Sequence, residues 1–231
     1  MKVKNRKIVY QGIEGSYSYL AGVKFFSKEN KFIGVNNFKE IFKLVAENKA
    51  DFGVVPIENS IAGSVYENID YLNRYNVKII GEHYLKIEHC LLGIKARMPF
   101  NIRMKYIKKI YSHPKALEQC SKFLDKYKNI EKIAYTDTAS SAKLISELND
   151  ITLACIASKE CAYLYNLQIL KNNIQDFKNN FTRFLFIAQL NFNFKEYNLN
   201  KASIIFTLPH IPGSLYRALE IFAINNINLT K

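Results

Sequence analysis

The chain has 231 residues, of which 48% are hydrophobic, and this is enough apolar material for the core of one or two globular domains. Its formal net charge is +13, but the Lys residues are scattered and no nucleic-acid-binding motif occurs, so nucleic acid is not expected as a partner. No apolar run is long enough to span a membrane, and the basic first residues lack the apolar stretch of a signal peptide. We therefore expect a cytoplasmic protein without a membrane partner.

The cysteines indicate a protein kept in a reducing compartment. Cys90, Cys120, Cys155 and Cys161 form no CxxC pair, and no His stands beside them at metal-ligand spacing. Most of them lie in apolar runs, so buried free thiols are expected. The sequence therefore predicts neither a disulfide nor a metal site.

Short apolar runs alternate with amphipathic stretches in the first third of the chain. The predicted elements are a strand at 8–10, a helix at 16–28, a strand at 32–35, a helix over 38–45, a strand at 52–55, a helix from 64 and a strand at 77–80. Ser64 and Glu67 have the spacing of a capping box, which predicts that the third helix starts at Ser64.

The pattern starts again near residue 84, which predicts a second lobe. Strands are predicted at 90–92, 107–111, 130–135, 151–157 and 184–188, with helices opened by Pro114, by Asp137 or Thr138, and by Ser158. Alternation of strands and helices favours an α/β fold with mostly parallel sheets.

The last part of the printed sequence has a pattern of its own. The Asn-rich stretch 191–201 is predicted to be a linker, and it is followed by a strand at 202–208, a turn at 212–214, a helix at 215–225 and the beginning of a strand at 227–229. A lone strand–helix–strand cannot bury its own faces. We interpret residues 202–231 as part of a small domain.

Polar and small residues follow several predicted strands, at 11–12, 58–60, 112–113 and 136–138. In open α/β folds, ligands bind outside the carboxyl ends of the strands, where helix N-termini offer free N–H groups to anions. These stretches predict a cleft for a ligand with more than one acidic group. Taken one at a time they are weaker, since Ser60, Ser64 and Ser158 are also typical helix caps and no nucleophile elbow or Gly-rich nucleotide motif occurs.

Thr182 and Arg183 lie at the start of the predicted strand near the end of this region. Side chains alternate across a regular strand, so the two residues are expected on opposite faces and at most one of them faces the cleft. Taken alone, Thr182 is typical of a β-branched residue that opens a strand.

Several stretches, taken in chain order, resemble signatures of the prephenate dehydratase family. They are YQGIEGSYS (10–18), DFGVVPIENSIAGSV (51–65), YSHPKALEQC (111–120), TDTASSAKL (136–144), ACIASKECAYLYNLQIL (154–170) and NNFTRF (179–184). TLPHIPGSLYRAL (207–219) resembles the start of the regulatory ACT domain that follows in this family. The resemblance covers nearly the whole chain, and the order of the motifs makes it specific.

The resemblance implies a fold like a type-II periplasmic binding protein, with two α/β lobes across a cleft. The catalytic domain would take residues 1–190, with a first lobe of about 1–84 and 167–189 and a second lobe of about 85–166; a linker at 191–201 and a partial ACT domain at 202–231 would follow. The implied reaction is the loss of water and carbon dioxide from prephenate, a dianion, to give phenylpyruvate on the route to L-phenylalanine. No metal or organic cofactor is implied.

The resemblance also implies the site residues. Thr182 would donate a hydrogen bond to the departing hydroxyl group, because such a group leaves poorly without one. The residues expected at the substrate are Asn59, Ser60, Ser112, Gln119 and Arg183, with Asn59 and Ser112 as hydrogen-bond partners and Gln119 as polar support. Supporting roles are expected for Glu58, Gly12 and Gly15. Arg183 would neutralise either a substrate carboxylate or Glu58.

The chain departs from the family pattern at a few places. Lys115 stands where the family usually has Gln, and Tyr19 stands where an acidic residue is frequent. The family's ACT domain continues through a Glu-Ser-Arg-Pro-type segment tied to phenylalanine binding, and the printed sequence does not reach it. We therefore expect that the response to phenylalanine, the effector of full-length relatives, is lost. A homodimer is the expected assembly.

Two other functions remain open. Arogenate dehydratase carries out the same elimination on the amino-acid form of the substrate, and the motifs barely separate the two enzymes. A non-catalytic solute-binding protein of the same fold would bind the ligand without releasing carbon dioxide.

Overall fold

The computed structural model describes residues 4–193 and 201–230. They fall into two units, and the division along the chain lies between Phe192 and Asn193. In chain order the first unit contains β1 (Lys7–Gln11), α1 (Tyr17–Phe26), β2 (Lys31–Val35), α2 (Phe38–Ala46), β3 (Phe52–Asn59), β4 (Gly63–Ser64), α3 (Tyr66–Arg74), β5 (Val77–Lys86), β6 (Cys90–Gly93), α4 (Phe100–Tyr106), β7 (Lys109–Ser112), α5 (Pro114–Gln119), α6 (Ser121–Leu124), β8 (Glu131–Ala134), α7 (Thr138–Leu148), β9 (Leu153–Ala157), α8 (Lys159–Leu164), β10 (Gln168–Lys171) and β11 (Phe181–Gln189).

The first unit is built on two sheets, each flanked by helices. The strand order of the first sheet is β2-β1-β3-β11-β5, with β4 paired to β3, and that of the second is β10-β6-β9-β7-β8. The chain crosses from the first sheet to the second between Lys86 and Cys90, and it returns between Lys171 and Phe181. The mixed α/β fold with two sheets confirms the predicted fold class at this level.

The sheets are mixed, whereas mostly parallel sheets were expected. Strands β1, β2 and β3 run parallel, as do β7, β8 and β9, but β11 runs antiparallel to both of its neighbours. Strand β6 is likewise antiparallel to β9 and β10. The reversal has a simple cause, because a strand that returns from the other lobe enters its sheet from the opposite end.

Two boundaries of the predicted lobes differ from the structure. Residues 168–171 were assigned to the first lobe, but β10 pairs with β6 in the second sheet, so the return to the first sheet comes only at β11. Strand β5 continues to Lys86 because it pairs along its length with β11. Pairing partners are not visible in the sequence, and this explains both differences.

Apolar side chains fill both faces of each sheet, as its flanking helices require. On one face of the first sheet, α1 packs Phe26 against Phe52 and Phe186, with ring centroids 4.9 and 5.2 Å apart. On the other face, α2 contributes Ile41, Phe42 and Val45, all fully buried. All four cysteines are buried and free, which confirms that expectation.

The helix starts follow local capping chemistry in most places. Asp137 and Ser158 cap α7 and α8 by accepting hydrogen bonds from the backbone N–H groups of Ser140 and Cys161, and Pro114 opens α5, as predicted. The prediction of a capping box at Ser64 is wrong. Ser64 belongs to β4, where it pairs with Glu58, and α3 begins at Tyr66 without a side-chain cap.

The second unit contains α9 (Ser214–Ile224), close to the helix predicted at 215–225. The strands predicted at 202–208 and 227–229 do not form, since the described residues there have no regular secondary structure. An isolated strand has no neighbour to satisfy its backbone N–H and C=O groups. Most of the predicted linker lies outside the described residues. Within residues 4–193 and 201–230, no helix has the length and apolar character needed to cross a bilayer.

Candidate active site

Strands β3 and β11 place Thr182 beside Asn59. The two residues are direct partners in the antiparallel ladder, and Asn59 Nδ2 donates a hydrogen bond to Thr182 Oγ1 at 3.0 Å. Both side chains are half-buried at the ends of their strands. The sheet therefore joins two of the residues that the sequence had assigned to one site.

The amide of Asn59 can have only one orientation. Its Oδ1 accepts hydrogen bonds from the backbone N–H groups of Ile61 and Ala62, at 3.0 and 2.8 Å. A backbone N–H group can only donate, so the oxygen must lie on this side and the Nδ2 group must face Thr182. The turn after β3 thus fixes the direction of the hydrogen bond to Thr182.

The direction of that bond decides what the hydroxyl group of Thr182 can do. A hydroxyl carries one hydrogen, and an oxygen that already accepts a bond keeps this hydrogen for another partner. No acceptor for it is found among the described residues. The Thr182 hydroxyl is consequently a neutral donor that remains available to a bound ligand.

A chain of side-chain hydrogen bonds continues from Asn59 into the second lobe. Asn59 Nδ2 also donates to Asn180 Oδ1 at 2.7 Å, and Asn180 Nδ2 donates to Gln119 Oε1 at 3.1 Å. The same Gln119 oxygen lies 2.9 Å from His89 Nε2. The Tyr17 hydroxyl lies 3.1 Å from His89 Nδ1 and 2.7 Å from the Glu88 carbonyl oxygen.

Two members of this series of hydrogen bonds, Asn180 and His89, are strongly desolvated. Asn180 is fully buried and His89 is 2% exposed. Burial lowers the pKa of His89 below its usual value, although its bond to Gln119 acts in the opposite direction, so the ring is neutral at pH 7. Burial also raises the pKa of Tyr17 well above its usual value, which keeps its hydroxyl protonated.

Ser60 holds the segment before β11 in place. Its hydroxyl donates to the Asn179 carbonyl oxygen at 3.2 Å and accepts from the Phe181 backbone N–H at 3.0 Å. Ser60 and Asn179 line a pocket of about 420 Å³, together with Ile61, Phe177 and Lys178. This volume is within the range of small-molecule sites, and Lys178 supplies a positive charge.

Arg183 was expected at the substrate or at Glu58, and the structure shows a different partner. Its guanidinium group bonds Glu82 Oε2 through Nε at 2.7 Å and Nη2 at 2.6 Å, and it lies 5.9 Å from the centre of the Tyr84 ring. Glu58 is the residue opposite Arg183 in the ladder, and Glu82 is the acidic side chain that holds the guanidinium group. The cause is the neighbouring strand β5, which offers Glu82 within reach.

Ser112 has a partner within the second sheet. It is fully buried at the end of β7, and its hydroxyl donates to the Ile156 carbonyl oxygen of β9 at 2.7 Å. The Ser112 side chain is enclosed and its hydrogen is engaged in this structure, and its expected substrate contact stays a prediction. Gln119, the last residue of α5, does join the group around Asn59.

The two glycines of the first turn lie close to residues of α7, α8 and their flanking loops. Gly15 has φ +91°, and a Cβ atom there would lie 2.9 Å from Cys161 Sγ. Gly12, with φ +99°, lines a second pocket of about 620 Å³ with Gln11, Asp137 and other residues. Of the strand ends that were expected to converge on one cleft, those at 11–12 and 136–137 line this second pocket, whereas Ser60 lines the first.

Sequence reasoning missed three members of the hydrogen-bond chain: Asn180, His89 and Tyr17. Asn180 directly precedes Phe181 and Thr182, so its place beside the motif was a usable signal. His89 and Tyr17 are in contact although they are 72 residues apart in sequence, and no local sequence pattern indicates such a contact. Residues 4–193 and 201–230 bring together no cluster of three or more His, Cys, Asp or Glu side chains that could hold a metal ion.

Comparison with known proteins identifies close relatives of the whole chain. An arogenate dehydratase/prephenate dehydratase from Arabidopsis thaliana is 39% identical over 225 residues, which cover 97% of this chain and 56% of the plant protein. A prephenate dehydratase from Methanocaldococcus jannaschii is 41% identical over 233 residues, which cover 98% of this chain and 81% of that protein. The chain thus spans little more than half of the plant relative.

The fold agrees with these relatives. The crystal structure of the prephenate dehydratase from Staphylococcus aureus superposes with a TM-score of 0.75 at 29% identity, and the match covers 97% of this chain and 81% of that one. The family model described as prephenate dehydratase matches residues 8–191, which include both sheets and the Thr182 site. The chain belongs to the prephenate dehydratase family.

Proposed function

We propose that this chain converts prephenate to phenylpyruvate, water and carbon dioxide, with the Thr182 hydroxyl as the hydrogen-bond donor to the leaving group. The family and the names of the relatives support the reaction. The observation that carries the role of Thr182 is the bond from Asn59 Nδ2 to Thr182 Oγ1, because it leaves the hydroxyl hydrogen free.

The chemistry needs one donor and good orientation. The bond between the ring and its carboxylate breaks, and the electron pair enters the ring as carbon dioxide leaves. The ring becomes aromatic when the carbon–oxygen bond to the hydroxyl group breaks, and the departing oxygen takes a proton from solvent to become water. A hydrogen bond from Thr182 to this oxygen stabilises the negative charge that develops in the transition state.

A neutral donor suits this step better than a strong acid. The Thr182 hydroxyl needs no ionisation, so it donates at any pH near neutrality. By donating to Oγ1, Asn59 polarises the hydroxyl and strengthens the bond that Thr182 gives. In this account Asn59 acts on the leaving group through Thr182.

We place the substrate in the pocket lined by Ser60, Lys178 and Asn179. Ser60 directly follows Asn59, Lys178 and Asn179 stand a few positions before Thr182, and Lys178 offers a charge for a substrate carboxylate. Gln119 gives polar support through Asn180, and Glu58 orients its neighbours, since a bare carboxylate would repel a dianion. Arg183 and Ser112 are assigned to the structure of the sheets.

The finer architecture belongs to the same proposal. Two sheets joined by two crossovers support the description as two lobes of a type-II periplasmic-binding-protein-like fold, and α9 supports an ACT-type regulatory segment from about residue 202. Phenylalanine is the effector proposed for that segment, and a homodimer the proposed assembly. Four buried free cysteines support a reducing, cytoplasmic location.

Side-by-side turnover of prephenate and arogenate tests the proposal. The purified chain should form phenylpyruvate from prephenate with a higher kcat/KM than it forms phenylalanine from arogenate. The printed names of the plant relatives include arogenate dehydratase, so a reversed preference would replace the proposed substrate by its amino-acid form. Binding of either compound without release of carbon dioxide would instead indicate a solute-binding protein.

A further inference from the structure

We propose that His89 is a positioning residue for Thr182: its Nε2–H group holds the Gln119 side-chain amide in the orientation that accepts from Asn180, and Asn180 in turn supports Asn59. This inference rests on the proposed function. It assigns a role to a buried side chain that lies on the crossover between the sheets and does not touch the pocket described above.

The direction can be derived from the Thr182 end of the chain. The backbone N–H groups of Ile61 and Ala62 require Asn59 Oδ1 to face them, so Asn59 Nδ2 must face Asn180. Asn180 must then present its oxygen to Asn59 and its Nδ2 group to Gln119. Gln119 must therefore present Oε1 to Asn180, because its NH₂ group in that place would put two hydrogen-bond donors face to face.

His89 closes the chain at the other end. Gln119 Oε1 has two lone pairs, one taken by Asn180 and the other directed to His89 Nε2, so this ring nitrogen must carry the hydrogen. In the neutral ring Nδ1 is then bare, and the Tyr17 hydroxyl shares its hydrogen between this nitrogen and the Glu88 carbonyl oxygen. With Nε2 protonated, the two donors that face Gln119 Oε1, His89 Nε2 and Asn180 Nδ2, are both satisfied by this oxygen.

The crossovers make His89 a suitable anchor. Its backbone N–H donates to Gln175 Oε1 at 3.0 Å and its carbonyl oxygen accepts from the Ile174 N–H at 2.9 Å, so both crossovers hold it. The chain joins Gln119 of the second lobe to Asn59 of the first. Loss of the His89 donor leaves the Gln119 amide free to rotate, and a rotated Gln119 would turn its NH₂ group toward Asn180.

His89 does not contact the proposed substrate pocket, and it acts on Thr182 only through other side chains. Partners that orient a reactive group through another side chain typically change rate by about tenfold to a hundredfold when they are removed. The effect should fall on kcat, since Thr182 interacts most strongly with the transition state. Substrate affinity should change far less, because Lys178 and Ser60 are untouched.

The test compares His89→Leu and His89→Gln in the full chain. Gln places an NH₂ donor near the position of Nε2, whereas Leu fills the space without a donor. We expect kcat for prephenate to fall by about tenfold or more in His89→Leu, with KM within about threefold, and to recover most of this loss in His89→Gln. His83→Leu is the matched control, since His83 lies on β5 and its buried Nε2 has no partner among the described residues.

A spectroscopic measurement keeps the inference separate from the proposed function. Nitrogen-15 NMR of the wild-type chain, with the His89 signal identified by its loss in His89→Gln, should show a neutral ring protonated at Nε2 at pH 7. If the chain does not turn over prephenate, this tautomer alone decides whether the direction is as inferred. A ring protonated at Nδ1, an unchanged kcat in His89→Leu, or a His89→Gln variant no better than His89→Leu would each overturn the inference.

Discussion

At the scale of the residue, Thr182 and Arg183 are neighbours with separate tasks. Thr182 accepts from Asn59 and keeps its hydrogen for a ligand, whereas Arg183 is engaged with Glu82. Alternation along a strand predicts that at most one of them faces the site. Which one it is depends on the neighbouring strands, and these are known only from the fold.

The first prediction concerns Thr182→Val. Valine has nearly the same shape and similar β-propensity but cannot donate, so kcat should fall by on the order of 10²–10³ while KM changes little. Thr182→Ser, the matched variant, keeps the donor and should retain part of the activity. Turnover and melting temperature of both variants check this. If Thr182 only packs in its strand, Val will be harmless and Ser will be the damaging change.

The second prediction separates stability from binding at Arg183. Arg183→Gln should lower the free energy of unfolding by about 1.5–3 kcal/mol, because it removes a charged hydrogen-bonded partner of Glu82. Glu82→Gln should have a similar effect, and the double variant should lose less than the sum of the two. The measurement is urea unfolding of all three proteins.

The same variants also decide whether Arg183 touches the substrate. In that case Arg183→Gln would raise KM for prephenate strongly and Glu82→Gln would not. Our account expects KM to stay within about threefold in both, since the ion pair lies in the sheet and interactions of this kind act on folding.

At the scale of the element, sequence patterns predicted most helices and strands correctly. Apolar periodicity and capping residues act over a few positions, and Asp137, Ser158 and Pro114 open their helices as expected. The pattern failed where partners decide the structure. Residues 168–171, which were expected in the first lobe, form β10 in the second sheet. The strand expected at 202–208 does not form among the described residues.

The positions of the candidate site residues were partly predictable from the sequence, as the secondary structure was. Asn59, Gln119 and Thr182 come together as the family resemblance implied, although they are distant in sequence. The roles of Ser112 and Arg183 were not predictable, because they depend on Ile156, 44 positions away, and Glu82, 101 positions away. A motif identifies a position, but the contact made there is set by the fold.

The third prediction concerns the turn between β1 and α1. Gly15→Ala and Gly63→Ala both put an alanine at positive φ, +91° and +83°, so both should lose about 1 kcal/mol of stability. At Gly15 the new Cβ would also lie 2.9 Å from Cys161 Sγ and 3.1 Å from Leu164 Cδ1, whereas at Gly63 no described atom lies within 4 Å. Overpacking at Gly15 should cost roughly 1–3 kcal/mol more.

Urea unfolding of the two glycine variants provides the comparison. Gly63→Ala is the control for backbone strain alone. Equal losses in the two proteins would mean that the contact between the first turn and α8 is loose in solution, and the account of that contact would need revision.

At the scale of the whole molecule, charge and substrate are complementary. The chain carries a net charge of +13 and the proposed substrate is a dianion, so long-range attraction should favour association. Salt screens such attraction over a distance of about 10 Å at 0.1 M. The scattered Lys residues should thereby contribute to substrate capture.

The fourth prediction follows from this charge. KM for prephenate should rise several-fold as salt increases from about 0.02 to about 0.5 M, with kcat nearly constant, because the donor Thr182 is neutral. Steady-state kinetics at constant pH would measure both constants. A KM independent of salt would show that local contacts alone hold the substrate.

The most direct test of the account is the stoichiometry of the reaction with prephenate. The purified chain should release one phenylpyruvate and one carbon dioxide for each prephenate consumed, and Thr182→Val should do so far more slowly under the same conditions. Phenylpyruvate is followed by its absorbance and carbon dioxide by trapping from carboxyl-labelled substrate. Prephenate that is bound but recovered intact, or product formed equally fast by Thr182→Val, would contradict the account.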